Sequence, residues 1–188
     1  MAKQKGNVVT HGLSGKIGDL LVFRQVGGKT VVSKVPEPPK TVSEKQAKQR
    51  RRFRQAVIYA KSAVESPETK TVYDEMAAKK GKTPFIVAVA DFLHVPEIQR
   101  IDLSDYSGQI GDTIRIEVED DTMVKYVHVR IMAADGTLIE EGQATPDISG
   151  YVWTYAAEQN NDRFNYGKIV VSVSDLPGNV VEESEELI

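Results

Sequence analysis

The chain has 188 residues, 40% of them hydrophobic and 27% charged, with a net charge of −3 and no cysteine. This composition excludes a disordered chain and a helical membrane protein, and the missing thiol excludes disulfides, thiolate metal sites and cysteine nucleophiles. The small net charge hides an asymmetry: residues 1–100 carry 19 Lys/Arg against 9 Asp/Glu, and residues 101–188 carry 5 against 18, so the two stretches stand at +10 and −13. The start, Met1 to Asn7, is basic, but no apolar run of signal-peptide length follows it. The most apolar stretch, Phe85 to Leu93, is interrupted by Asp91 and falls short of the roughly 20 residues a membrane span needs. A cytoplasmic protein without membrane insertion is therefore expected, with association with a particle left open.

Residues 19–35 read as a β-hairpin turning at Gly27-Gly28, which can take the positive φ values of a two-residue turn. That centre sets Phe23 opposite Val32 and Arg24 opposite Val31, with apolar residues on both faces. Pro36, Pro38 and Pro39 form a stiff connector. Ser43 with Gln46 is a capping-box pattern that opens a helix. Phe53, Ala56, Val57, Ala60, Ala63 and Val64 form its apolar stripe, leaving Tyr59 as an exposed aromatic. Ser66-Pro67-Glu68 opens a second helix with Val72, Tyr73, Met76 and Ala77 as its apolar face and Gly81 as its stop. Thr83-Pro84 opens a third, short and apolar, ending near Pro96.

From Ile101 the period changes to two. Ile114, Ile116 and Val118 alternate with Arg115, Glu117 and Glu119, and Val127, Val129 and Ile131 alternate with His128 and Arg130. Asp135-Gly136 turns the chain into residues 137–140, residues 151–155 and 168–173 read as further strands, and Pro177-Gly178-Asn179 turns into Val180-Val181. With Ile101–Leu103 this makes about seven strands, the size of an immunoglobulin-like antiparallel sandwich. An α+β chain is thus expected, with a basic hairpin-plus-three-helices region over 1–98 and an acidic β-sandwich over 99–188. Glu182, Glu183, Glu185 and Glu186 read as a solvated tail.

Residues Gly111–Asp121, Val124–Ile131, Asp135-Gly136, Trp153–Tyr155 and Ile169–Asn179 together resemble bacterial Ig-like and cadherin-like modules. The resemblance spans residues 101–183 and implies a spacer or a binding platform of the kind found in surface and virion proteins. Gly15–Gly18 with Gln49–Phe53 is similar to uncharacterised small proteins of Bacteroides-group bacteria and their phages, a likeness that brings no activity with it.

Gly12–Lys16 imitates part of a phosphate-binding loop, but Thr10 and Ile17 stand where that loop needs Gly and Ser or Thr, so a turn entering the hairpin is expected. The helix over 43–64 carries Lys45, Lys48, Arg50, Arg51, Arg52, Arg54 and Lys61, a footprint for a polyanion or an acidic protein surface. Asp120, Asp121, Asp175 and Asn179 are candidate calcium ligands at one end of the sandwich, a set that the cadherin-like resemblance brings forward. Local turn chemistry is the alternative for these four. Asp91 and His94 fall on one helix face, and only a pocket joining His94 to carboxylates would make a catalytic site of them. No catalytic residue and no cofactor beyond calcium is assigned. A non-enzymatic structural or protein-interaction protein is expected, in a phage, mobile-element or surface assembly, pairing with a partner or with itself through complementary charge. The alternative is a nucleic-acid-associated protein that binds phosphates through helix 43–64.

Overall fold

Among the residues described by the computed structural model, 2–4, 12–36, 42–162 and 166–187, three helices and three antiparallel sheets make an α+β protein. The chain divides into two units, Met1–Ala47 and Lys48–Ile188. In the first, Gly27 (φ 56°) and Gly28 (φ 73°) supply the two positive φ values of a tight hairpin turn. The hairpin joins strands Leu21–Val26 and Lys29–Lys34, with Phe23 opposite Val32 and Arg24 opposite Val31. Two further strands, absent from the sequence-based expectation, flank it. With β1 Ala2–Gln4, β2 Gly15–Ile17 and the hairpin strands as β3 and β4, the sheet order is β1-β4-β3-β2. Gly15 and Lys16 are therefore paired strand residues rather than a loose turn, and Lys16 Nζ lies 2.6 Å from Asp19. Thr10, His11 and the connector residues Pro38 and Pro39 lie outside the described residues.

Helix α1, Glu44–Ala63, starts at the capping box: Ser43 N donates to Gln46 Oε1 (3.2 Å) and Gln46 N donates to Ser43 Oγ (3.3 Å). Helix α2, Pro67–Lys80, ends at Gly81 in the left-handed conformation (φ 61°). Helix α3, Pro84–Leu93, is capped by Thr83 Oγ1, which accepts from Ile86 N. Alanines at 60, 63, 77 and 88 let the helices close around the fully buried Tyr73. The apolar stripe of α1 is displaced from the expected one. Ala56, Ala60 and Ala63 are its centre, and Phe53 and Tyr59 flank it from opposite sides. The side facing α2 and α3 is Tyr59's, whose hydroxyl meets that of Tyr73 at 2.7 Å and whose ring lies 5.5 Å from Phe92. Phe53 is left 52% exposed, the reverse of the expected assignment.

The strands β5 Glu97–Asp102, β6 Thr113–Glu119, β9 Thr145–Pro146 and β10 Val152–Ala156 form a sheet in the order β5-β6-β10-β9. The strands β7 Val124–Met132, β8 Leu138–Gln143, β11 Lys168–Asp175 and β12 Val180–Glu186 form another in the order β12-β11-β7-β8. Their inner faces share one core of Ile114, Ile116, Val127, Val129, Ile131, Ile169, Val171 and Val173, all fully buried, giving a sandwich-like body. Trp153 joins that core and satisfies its ring N–H on Gly150 O at 3.0 Å. The glutamates expected in a tail belong to β12, which pairs with β11 as far as Glu186 opposite Lys168.

The change of period near residue 98 lies inside the second unit. Helices and sheets belong together there because Leu176, in the β11–β12 turn, packs on the helical core and because polar groups cross the seam. Gly142 on β8 shows how closely the sheets fill. A Cβ there would stand 2.8 Å from Cε2 of the buried Tyr155. Gly142→Ala is expected to cost about 1–3 kcal/mol of stability by overpacking. An unchanged thermal midpoint would show that the ring can yield.

Candidate functional site

At 3.6 residues per turn, the face of α1 opposite its three buried alanines carries Arg50, Arg51, Arg54 and Lys61 around Ile58. All five are exposed, Ile58 at 63%. None of the four cations, nor Lys45 or Lys48, forms an ion pair with a described residue. Arg52 differs from its neighbours. Its Nη2 donates to Leu93 O at 3.0 Å, so it holds the end of α3 instead of adding to the outward face.

The opposite charge gathers on β12. Glu182 is engaged, accepting from Arg130 Nη2 (2.5 Å) and Ser172 Oγ (2.9 Å). Glu183 and Glu185 are exposed and make no ion pair with described residues, although their registers, opposite Val171 and Ile169, are those of the inner face.

Where the helices meet the sheets, acids converge. Asp91 on α3 is 1% exposed, and its Oδ2 accepts from Tyr73 OH at 2.5 Å. Asp175, fully buried at the end of β11, accepts from Asn179 N (2.6 Å) and Asn179 Nδ2 (2.7 Å). The Asn179 amide also donates to His94 O at 2.9 Å, tying the β11–β12 turn to the end of α3. Asp120 Oδ2 accepts from Thr122 N and Met123 N, a local turn arrangement. Asp120 Oδ1 is buried with no hydrogen-bond partner, and Asp91 Oδ1 and Thr122 Oγ1 are buried near each other without a well-formed bond. Burial, aided by the carboxylates of Asp120 and Asp175, pushes the Asp91 carboxyl up to about 6, against the lowering effects of the Tyr73 bond and of the Thr122 hydroxyl beside it. Burial likewise raises Asp175, with the Asn179 bonds opposing it. The Tyr73 hydroxyl is raised far above its ordinary range by burial and by the acceptors beside it.

Of the four candidate calcium ligands, Asp120 and Asp175 lie near each other and near Asp91, with Asn179 bonded to Asp175. Asp121 turns elsewhere, its Oδ2 2.6 Å from His94 Nδ1 and its carbonyl accepting from Lys80 Nζ at 2.6 Å. Among the described residues, no group of three or more His, Cys, Asp or Glu side chains is arranged to hold a metal ion. Asp91 on α3 and His94 at its C-cap do not share a site, since Asp91 is buried toward Tyr73 and His94 is exposed toward Asp121. A groove of about 500 Å³ beside His94 is lined by Arg52, Glu97, Glu119, Asp120 and Asp121, so it brings His94 together with carboxylates, although Asp91 does not line it. Sequence reasoning missed the Tyr73–Asp91 bond. The signal for it was a lone acid inside an otherwise apolar helix.

Neither a protein-family model nor a curated protein matches the chain. Among solved structures it is similar to CopC from Methylosinus trichosporium OB3b, at 17% identity and a TM-score of 0.37 over 48% of this chain and 89% of that one. It is also similar to an engineered protein solved at 1.98 Å, at 19% identity and a TM-score of 0.37, over 48% of this chain and 19% of that one. Neither likeness bears on function. No helix among the described residues is long and apolar enough to cross a membrane.

Proposed function

We propose that the chain is a non-enzymatic structural or interaction protein, in which an immunoglobulin-like sandwich carries a helical platform that binds an acidic partner through α1. The single observation that carries this reading is the outward face of α1. Four cations surround an exposed isoleucine there, and none is neutralised by a described residue. The sheet orders β5-β6-β10-β9 and β12-β11-β7-β8 correspond to the A-B-E-D and G-F-C-C′ layout of immunoglobulin-like domains, which supports that finer description. The protein acts in the cytoplasm or on a particle, in a phage, mobile-element or surface assembly.

Exposed charge pairs weaken as salt shortens the Debye length from about 30 Å at 0.01 M to about 3 Å at 1 M. Light-scattering mass of the intact chain is therefore expected to rise at low ionic strength and return to the monomer at high. Electrophoretic retention of duplex DNA tests the second reading, which the same unpaired arginines favour, and there affinity would fall with a salt slope near the number of phosphates contacted. A chain that stays monomeric at low salt would remove self-association as the form of the binding through α1, and one that retains no DNA there would remove the second reading.

A further inference from the structure

We propose that the acidic partner of α1 is strand β12 of a second copy of this chain, so that copies join head to tail. The inference rests on the reading of α1 as the docking helix and adds its occupant.

β12 stands at the end of its sheet order, where an open backbone edge would ordinarily attract another strand. Glu183 and Glu185 oppose that. They occupy registers that elsewhere in the sheet hold buried Val171 and Ile169, and charges at such inward positions prevent strand addition. They also leave two carboxylates without a cation partner among the described residues, on a strand where Glu182 is already satisfied by Arg130 and Glu186 stands opposite Lys168. A partner for this edge needs cations and must not be a strand. The outward face of α1 meets both requirements. Side chains two apart on a strand repeat every 6.6–6.8 Å or so, and those four apart on a helix every 6 Å or so, so Arg50 and Arg54 match the spacing of Glu183 and Glu185. Ile58 adds an apolar contact between the charged groups. Because the two surfaces differ, the contact is heterologous and repeats from copy to copy.

The test is charge exchange in the full-length chain, with circular dichroism confirming that each variant folds. Reversing α1 (R50E, R51E, R54E) or β12 (E183K, E185K, E186K) is expected to weaken low-salt self-association on the order of 100-fold, since like charges then face each other. An equimolar mixture of the two variants is expected to recover the parent's sedimentation profile, because both complementary pairings are restored between unlike chains. Recovery in the mixture is the result that a general solubility effect could not produce. If reversal of α1 abolishes association while reversal of β12 leaves it intact, β12 is not the occupant, although α1 remains a docking helix. A parent chain that is monomeric at low salt overturns the inference, and DNA retention lost only in the α1 variant would then assign the helix to nucleic acid.

Discussion

Tyr73→Ala is expected to lose about 4 kcal/mol of unfolding free energy, the cost of removing a fully buried aromatic side chain and leaving a cavity. Tyr73 is the largest side chain in the helical core, and the alanines around it are too small to close the space. Its hydroxyl also links the half-buried Tyr59 to the buried Asp91. Tyr73→Phe isolates that second role. It keeps the ring, strands Asp91 Oδ2 and the Tyr59 hydroxyl without their partner, and is expected to cost about 1–3 kcal/mol. Urea denaturation of the two variants measures both terms. A Phe variant as stable as the parent would show that the Tyr73 hydroxyl contributes nothing to the seam, and an Ala loss below 2 kcal/mol or so would mean the helices repack.

Asp91→Asn is expected to be more stable than the parent above neutrality and to flatten the parent's dependence on pH. The Asp91 carboxyl titrates near 3.8 in the unfolded chain and at about 6 in the folded one. The folded state therefore holds the proton more tightly. That contribution is fully present below the unfolded value, and it is lost as pH rises through the folded one. The displacement is worth on the order of 3 kcal/mol. The raised Asp175 has the same sign. An asparagine keeps an acceptor for Tyr73 and brings an amide donor to a place where the nearby Asp120 Oδ1 has no partner. Denaturation at about pH 5 and about pH 8 decides the matter. A parent that gains stability over that interval, or an Asn variant that keeps the parent's full slope, would show that Asp91 is not the group responsible.

Much of this architecture was legible in the sequence where local chemistry carries it. Gly27-Gly28 allowed one hairpin register, the Ser43–Gln46 pair and Thr83 started α1 and α3, Gly81 stopped α2, and alternation marked the central strands. The two-residue strand β9 and the flanking strands β1 and β2 were not legible, because they have too few residues to show a period and exist only where a neighbour offers a ladder. The glutamates of β12 read as a tail for a related reason: their strand is set by pairing with β11 and not by an apolar alternation of its own.

The candidate sites divide the same way. Arg50, Arg51 and Arg54 could be named from the charge run, and they are exposed as expected. That Arg52 in the same run is committed to Leu93, 41 residues away, could not be read from it. Asp120 and Asp175, grouped in the sequence reading as candidate calcium ligands, do lie near each other. Asp121 was lost from that group to His94, and Asp91 was added to it from a helix.

The sequence by itself determined the order of the helices and longer strands, several of their turns and the division of the chain into a positive and a negative stretch, because each rests on neighbours within a few residues. Only the tertiary structure decided which polar groups are buried and which charges are already satisfied. The partners concerned lie 18 residues apart for Tyr73 and Asp91 and 85 for Asn179 and His94. No local period encodes such a pairing. It follows from where packed helices and sheets bring their ends together, and it changes the opposed charges of the two stretches from a sum over residues into two particular surfaces, the outward face of α1 and the edge of β12.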